Sequence, residues 1–195
     1  MYVAAEQGHE AVVRLLCGVG ANKDQPMTDC DNPILIAAFE GHEAVVRLLC
    51  DAGANTDQPR TDGATPMHTA AQDGHEAVVR LLLGAGANKD QPKTDGATPI
   101  FGAASMGHEA VVQLLCDAGA NTDLPNTGGA TPMHYAVCKG HEAVVQLLCR
   151  VGAKRDVSMP GVGTPMMAAS KRGHEAIVQL LQYGDATVDA FASPA

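Results

Sequence analysis

The chain has 195 residues and a formal charge of −9, and hydrophobic residues make up 46% of it although aromatic residues make up only 3%. The acidic charge argues against a basic surface for nucleic acid, and the longest apolar run, at 34–39, is too short to span a bilayer. The opening residues Met1-Tyr2-Val3 do not begin a basic secretory signal. We therefore expect no nucleic-acid partner, no membrane insertion and a cytoplasmic location, with the nucleus as the alternative.

A ten-residue segment recurs along the chain with a constant spacing. GHEAVVRLLC or a close variant begins at six positions, each 33 residues after the one before: Gly8, Gly41, Gly74, Gly107, Gly140 and Gly173. A fixed period of this length is typical of proteins that are built from stacked repeats.

Residues 61–86, TDGATPMHTAAQDGHEAVVRLLLGAG, show how the first half of one unit is organised. Thr65 followed by Pro66 is typical of a helix N-cap and the first helical residue, because the hydroxyl accepts a backbone hydrogen bond and the ring presets φ. This pair predicts a short helix over 67–73. Gly74 is expected to end that helix, since glycine tolerates the left-handed conformation that helix ends commonly need.

The second half of the unit predicts another helix and a finger. His75 precedes a helix over 76–84, and Glu76 and Arg80 are spaced to form an ion pair on its surface. The Thr-Asp-Gly-Ala run at 61–64 predicts the tip of an extended hairpin. Neither helix is long enough to be stable alone in water. We therefore expect neighbouring units to stack side by side and to bury the apolar flanks of both helices.

The segment TPMHTAAQDGHEAVVRLLLGAGAN, at 65–88, resembles the ankyrin repeat, whose pattern is roughly TPLHxAAxxGHxxVVxLLLxxGAD with Asp-Gly at the finger tip. The resemblance covers residues 1 to about 181. It implies an all-α fold, an ankyrin-repeat solenoid of stacked antiparallel helix pairs with projecting hairpin fingers. Asn32-Pro33 replaces Thr-Pro in the second unit, but Asn also caps helices well. The acid and the amide of the usual linker are exchanged in four units.

The period divides the chain into six units and a tail. We expect a truncated first unit at 1–26, full units at 27–59, 60–92, 93–125 and 126–158, a C-terminal capping unit at 159–184 and a tail at 185–195. The first unit lacks a Thr-Pro cap and is expected to leave Val3, Ala4 and Val12 without a neighbour on one side. Polar residues such as Ser170 and Gln179 give the last unit the character of a cap.

The six cysteines and eight histidines do not predict a metal site or a disulfide. Stacked helices lie about 8–10 Å apart, which is too far for the Cα atoms of a disulfide. His134 and Cys138 share a helix face but supply only two of the four ligands that zinc needs. Cys30 lies at a predicted fingertip and is the thiol that we expect to be most exposed. No nucleophile motif or phosphate-binding loop is present, so we predict no enzyme activity, no metal and no cofactor.

Comparison of the six units predicts a recognition surface. The second helices are nearly identical, whereas the two residues before each Gly-His pair, and one residue in each finger, differ from unit to unit. In the ankyrin family the fingers and the exposed sides of the first helices line a concave groove that binds partner proteins. The resemblance therefore implies the following partner-binding residues: Phe39, Glu40, Arg60, Gln72, Asp73, Lys93, Ser105, Met106, Tyr135, Cys138, Lys139, Lys171 and Arg172.

The resulting expectation is a monomeric, non-catalytic scaffold that binds one or more unidentified proteins. Two other hypotheses remain open at the level of sequence. The missing cap of the first unit favours a targeting or regulatory segment cut from a larger multidomain protein, enzymatic or not. The similarity of the units favours a designed consensus binder, although a cysteine repeated in four units argues against design. Drift and selection for a partner explain the varied groove positions equally well.

Overall fold

The computed structural model describes residues 1–27 and 31–183, so that Cys30 and the predicted tail at 185–195 lie outside the described residues. Within this part of the chain every regular element is a helix, which confirms the predicted all-α fold. None of these helices is both long enough and apolar enough to cross a membrane. The helices are α1 (Tyr2–Glu6), α2 (Glu10–Gly18), α3 (Pro33–Phe39), α4 (Glu43–Asp51), α5 (Pro66–Gln72), α6 (Glu76–Gly84), α7 (Pro99–Met106), α8 (Glu109–Asp117), α9 (Pro132–Lys139), α10 (Glu142–Arg150), α11 (Pro165–Arg172) and α12 (Glu175–Tyr183).

From α3 onward, the first helix of each pair begins at the predicted Thr-Pro or Asn-Pro signal. Asn32 has extended backbone angles, and its Oδ1 accepts a hydrogen bond from the backbone N of Leu35 at 2.8 Å. Thr65 and His68 form a reciprocal capping box, in which each side chain accepts from the other residue's backbone N–H. The proline that follows each cap has no N–H, so the helix start leaves one fewer donor without a partner.

The second helix of each pair follows a Gly-His dipeptide. Gly74 has φ +77°, a left-handed conformation that costs an L residue about 1–2 kcal/mol. His75 is the N-cap of α6. On the outer surface of α6, Arg80 donates to Glu76 at 2.9 Å, which confirms the ion pair expected from the spacing.

One continuous apolar core runs through the stack from Ala5 to Leu181. Each first helix contributes small buried side chains to it, such as the fully buried Ala70 and Ala71 of α5. These small residues let α5, α7 and α9 approach one another more closely than α6, α8 and α10 do. The first helices are therefore the more closely packed layer of the stack.

The first unit differs from the interior units in the exposure of its outer flank. Val12 is 45% exposed, whereas Val78, at the same position two units later, is 1% exposed. Val3 is also exposed, as expected for a flank without a neighbour. The expectation for Ala4 is wrong: its side chain is buried and belongs to the continuous core.

Candidate functional site

The groove, as we name it here, is the surface lined by the exposed sides of the first helices and by the fingers. Each finger is a tight turn, in which Arg60 N donates to Ala64 O at 3.0 Å and Gly63 N donates to Arg60 O at 2.9 Å. The fingers at 60–64, 93–97 and 126–130 are joined as well, since Thr94 N donates to Asp62 O at 3.0 Å and Thr127 N donates to Asp95 O at 2.8 Å. These three fingers therefore form one connected edge of the groove.

The histidines of the Gly-His pairs fix the backbone of the groove. Nε2 of His75 donates to the carbonyl oxygen of Phe39 at 2.8 Å, across a sequence separation of 36 residues. The histidine ring also occupies the space beside the preceding unit's glycine, because a Cβ on Gly41 would lie 2.7 Å from the His75 ring. Equivalent hydrogen bonds join His42 to Glu6, His108 to Gln72 and His141 to Ser105. The varied residues of the groove thus stand on a backbone that the next unit holds in place.

These histidines are functional residues that the sequence reasoning did not predict. The sequence pattern indicated only a helix start at His75 and its equivalents. Their presence in all six units was a signal of a second role, but the partner carbonyl becomes visible only when the units are stacked.

Aspartates in the linkers form a second set of bonds between units. Oδ1 of Asp57 accepts a hydrogen bond from the backbone N of Asn88 at 2.8 Å, and Oδ1 of Asn88 accepts one from the N of Asp90 at 3.0 Å. The exchanged acid and amide therefore have separate roles: the amide closes its own turn and the acid reaches the next unit. Equivalent bonds between units join Asp24 to Asn55, Asp90 to Asn121 and Asp123 to Lys154.

The predicted partner-binding residues lie at the ends of the first helices or on the fingers, except Tyr135, which lies in the middle of α9; their exposure varies. Phe39 and Met106 are 43% and 54% exposed, which is unusual for large apolar side chains in this chain's interior units. Tyr135 is half-buried, because its ring packs against Phe101 with the centroids 4.8 Å apart. The exposed polar members are Glu40, Gln72, Asp73, Lys139, Lys171 and Arg172, and the other half-buried members are Arg60, Lys93, Ser105 and Cys138.

A small pocket, the Phe39 pocket, lies in the groove between α3, α5 and two fingers. Its volume is only about 30 Å³. Arg60 donates to both carboxylate oxygens of Asp62, at 2.8 and 2.9 Å, and Lys93 Nζ lies 3.9 Å from the same carboxylate. The hydrogen bond from Arg60 holds the pKa of Asp62 well below its usual range. The charges at this pocket therefore compensate one another. The lining residues are Phe39, Arg60, Ala64, His68, Thr69, Gln72, Asp73 and Lys93.

A larger pocket, the Tyr135 pocket, lies in the groove between α9, the last finger and the end of α11. Its volume is about 320 Å³, and it is lined by His134, Tyr135, Cys138, Lys139, Met159, Val162 and Arg172. Tyr135 and Met159 pack on the same small apolar cluster as Phe101, whereas Lys139 and Arg172 are exposed. None of the seven lining residues is acidic.

Two histidines beside these pockets link a first helix to the next finger. Burial lowers the pKa of His68 to about 4, so that its ring is neutral at neutral pH. The neutral ring accepts a hydrogen bond from Thr65 N through Nδ1 and donates one to Ala97 O through Nε2, both at 3.1 Å. His134 contacts the carbonyl of Gly163 in the same way, and burial lowers its pKa too. Both side chains therefore serve as structural links.

The outer face of the array carries two open depressions, with volumes of about 430 and 450 Å³. They are larger than the pockets of the groove. Their arginines, Arg47 and Arg80, are already paired with Glu43 and Glu76. The equivalent residue is Gln in the last three units, so the paired charges at this position are confined to the first half of the array.

The cysteines and other titratable side chains are the groups that could bind a metal or act as nucleophiles. Among the described residues, no group of three or more His, Cys, Asp and Glu side chains could hold a metal ion. Burial raises the pKa of the thiols of Cys50 and Cys116, the latter to about 11. A protonated thiol is a poor nucleophile and a poor metal ligand. No disulfide joins the cysteines in the described part of the chain.

Comparison with known proteins identifies the architecture. A family model of three ankyrin repeats matches residues 1–93 and again 82–159, and a model of a single ankyrin repeat matches 163–192. The chain belongs to the ankyrin repeat family. Ankyrin repeats are generally protein–protein interaction modules and are typically non-catalytic. No curated protein matches the sequence.

A solved ankyrin structure shows the same fold. The crystal structure of an ankyrin repeat domain from Acinetobacter baumannii is 24% identical to this chain and has a TM-score of 0.87, with 94% of this chain and 96% of that domain covered. At this identity the similarity extends to the fold and not to the residues of the groove. The ankyrin solenoid implied by the sequence pattern is therefore confirmed, whereas the partner-binding residues stay a prediction.

Proposed function

We propose that the chain is a non-catalytic scaffold that holds a partner protein in the groove. The observation that carries this proposal is the contrast between two surfaces of the same units. The outer helices differ from one another mainly at one Arg-or-Gln position and near their C-terminal ends, whereas the groove presents different residues in each unit and leaves Phe39 and Met106 about half exposed. Aromatic residues and Met are enriched at protein–protein interfaces relative to the rest of the surface.

Phe39 and Met106 are the proposed anchors of the interaction. Interface hot spots are large side chains near the centre of the contact, surrounded by residues that exclude water. Phe39 is bordered by the polar Gln72 and Asp73 in its pocket. The backbone of Phe39 is also held by His75, so that less conformational entropy is lost when a partner binds.

The charged residues of the groove are proposed to orient the partner. Glu6, Glu40 and Asp73 lie in the first three units, whereas Lys139, Lys171 and Arg172 lie in the last two. Charges on an interface rim mainly affect the rate of association and the choice of partner. Exposed charges are screened over about 8 Å at physiological salt, so we expect this gradient to change the association rate more than the final affinity.

The proposal also places the scaffold in the cytoplasm as a monomer. The protonated thiols of Cys50 and Cys116 are compatible with that compartment, where cysteines remain reduced. Measurement of the mass of the purified chain in solution, without reductant, tests whether the chain is a monomer.

The test of the proposal is to select partners and then map them by substitution. A displayed library of natural protein fragments, selected against the intact chain, supplies the binders. Phe39→Ala combined with Met106→Ala should weaken their binding by more than about tenfold, or about 1.4 kcal/mol. The control reverses Glu43, Glu76 and Glu109 on the outer helices and should change the affinity little. If the outer reversals abolish binding and the groove pair leaves it intact, the partner docks on the outer face and the proposal is wrong.

A further inference from the structure

The positive charge of the chain is concentrated in one part of the array. Residues 124–174 contain six Lys or Arg residues and only two Asp or Glu residues, although the whole chain has a formal charge of −9. Half of these cations belong to the groove: Lys139, at the end of α9, and Lys171 and Arg172, at the end of α11. The groove thus has a basic end in an otherwise acidic protein.

The Tyr135 pocket lies at this basic end and is formed for an apolar group. Its volume of about 320 Å³ is near the lower limit of pockets that bind drug-sized ligands, which is enough for one bulky side chain. Tyr135 is held by its contact with Phe101, and the last finger is closed by a hydrogen bond from Met159 N to Gly163 O at 2.9 Å. The pocket therefore exists before a partner arrives.

The cations of this pocket differ from those of the Phe39 pocket in their pairing. Arg60 and Lys93 share the carboxylate of Asp62. The last finger carries Gly161 where the earlier finger carries Asp62, and no ion pair between Lys139 or Arg172 and another described residue is formed. Their charges remain available to a carboxylate from outside.

We infer that the Tyr135 pocket binds an acidic segment of a partner protein. One large apolar side chain of this segment enters the pocket among Tyr135, Cys138 and Met159. Asp or Glu residues on either side of that side chain pair with Lys139, Lys171 and Arg172. This inference rests on the proposed function, and it adds the chemistry of the partner. Arginine pairs with carboxylates through two parallel hydrogen bonds, which gives the contact direction as well as charge. An acidic protein segment fits better than nucleic acid, because three cations are too few to offset repulsion from the rest of an acidic chain.

Selection of displayed short random peptides against the intact chain tests the inference directly. The enriched peptides should combine a large apolar residue with neighbouring Asp or Glu. In a synthetic copy of an enriched peptide, replacing the apolar residue by Ala, or the acids by their amides, should each weaken binding by about tenfold or more. These changes are made in the peptide, so they do not depend on the stability of a protein variant.

A charge swap supplies the matching test on the protein. Lys139→Glu, Lys171→Glu and Arg172→Glu together should abolish binding of the acidic peptide and create binding of the same peptide with Lys in place of its acids. The matched control reverses Arg150, Lys154 and Arg155, which changes the net charge equally in the same part of the chain. Arg150 contacts Gln113 on the outer side, so this control should leave the affinity nearly unchanged.

Four results would overturn the inference, and they separate it from the proposed function. Enriched peptides that lack acids would refute the acidic partner. Peptides whose binding is unchanged by the groove charge swap but lost on Phe39→Ala with Met106→Ala would refute it as well. In both cases the groove would remain the proposed binding surface. Binding that is lost only on reversal of Glu43, Glu76 and Glu109 would refute both. Displacement of the peptide by a single-stranded oligonucleotide, equally in the wild type and in the control, would show that the site selects charge alone.

Discussion

The outer helices and the groove are made from the same six units, yet their residues follow opposite rules. Val78, Val111 and Val144 occupy one position in three units, and each is about 1% exposed because the neighbouring unit covers it. At the end of the first helices, Phe39, Gln72 and Ser105 occupy another repeated position with three different chemistries. This difference shows that the residue type at a position is constrained where the next unit packs on its side chain. Where the next unit holds only the backbone, the side chain is available for recognition.

The largest expected effect comes from the contact between units at the Gly-His pairs. Gly74→Ala should destabilise the protein by about 2–4 kcal/mol, because φ is +77° and the new Cβ would lie 2.6 Å from the His108 ring, which combines backbone strain with a displaced hydrogen bond. Gly84→Ala is the matched control: Gly84 is helical and no atom lies within 4 Å of its Cβ position, so this change should stabilise slightly. Chemical denaturation measures both. If the two substitutions changed the free energy of unfolding equally, the contact with the His108 ring would not constrain position 74.

The second expected effect is a pH dependence that originates at His68. Its folded-state pKa, about 4, lies below the ordinary value of 6.5, so the unfolded chain binds the proton more readily. The stabilising contribution is therefore complete above pH 6.5, falls as the pH drops toward about 4 and is constant below it, with a total loss of at most about 3 kcal/mol. Denaturation at a series of pH values measures this loss. Leu35 occupies the same position in the second unit, so His68→Leu should flatten the curve in this pH window. Parallel curves for the two proteins would contradict the assignment.

The third expected effect compares one repeated position in two environments. Val78→Ala should cost about 2 kcal/mol, because it removes buried methyl groups and leaves a cavity. Val12→Ala, at the same position in the first unit, should cost less than about 0.5 kcal/mol, since surface changes rarely cost more. Hydrogen exchange within each unit gives the local free energy of opening. If Val12→Ala costs as much as Val78→Ala, the flank of the first unit is covered in solution.

The smallest of these effects on stability, counted for each side chain, belongs to the groove itself. Phe39→Ala with Met106→Ala should lower the free energy of unfolding by about 1 kcal/mol for each side chain, because only about half of each is buried. The same pair is expected to reduce partner binding more than any other groove change. A much larger loss of stability would mean that these side chains belong to the framework, and the separation between the two surfaces would fail.

The framework could be predicted from the sequence because its signals are local. Thr65-Pro66 and Gly74-His75 place the helix boundaries of a unit by their own backbone preferences, and the structure has α5 and α6 within one residue of the prediction. The constant period then predicts every other unit from one. The exchange of acid and amide in the linker at Asn88 could also be recognised in the sequence, although the hydrogen bonds that these residues form could not.

The remaining features depend on distances between units, which the sequence pattern does not contain. The bond from His75 to the Phe39 carbonyl joins residues 36 positions apart and requires the rotation between neighbouring units. Likewise, the Tyr135 pocket is open because Met159 and the glycines of the last finger replace the charged residues of earlier fingers. A periodic pattern describes only what the units share, so it could not predict a pocket that depends on the residues of one unit.

The hydrogen bonds between units also determine how the array can change in length. The bonds of the linker aspartates and of the Gly-His histidines join positions that every interior unit possesses, at separations of 31 and 36 residues along the chain. If residues 60–92 were removed by recombination, Asp57 would meet the backbone of Asn121, and His108 would meet the carbonyl of Phe39. Each severed bond of these two kinds would find an equivalent substitute, and the shortened gene would still encode a continuous stack. Insertion or loss of a number of residues that is not a multiple of 33 would leave these donors and acceptors without matching partners. This protein can therefore evolve by gain or loss of whole units far more easily than by gain or loss of part of a unit.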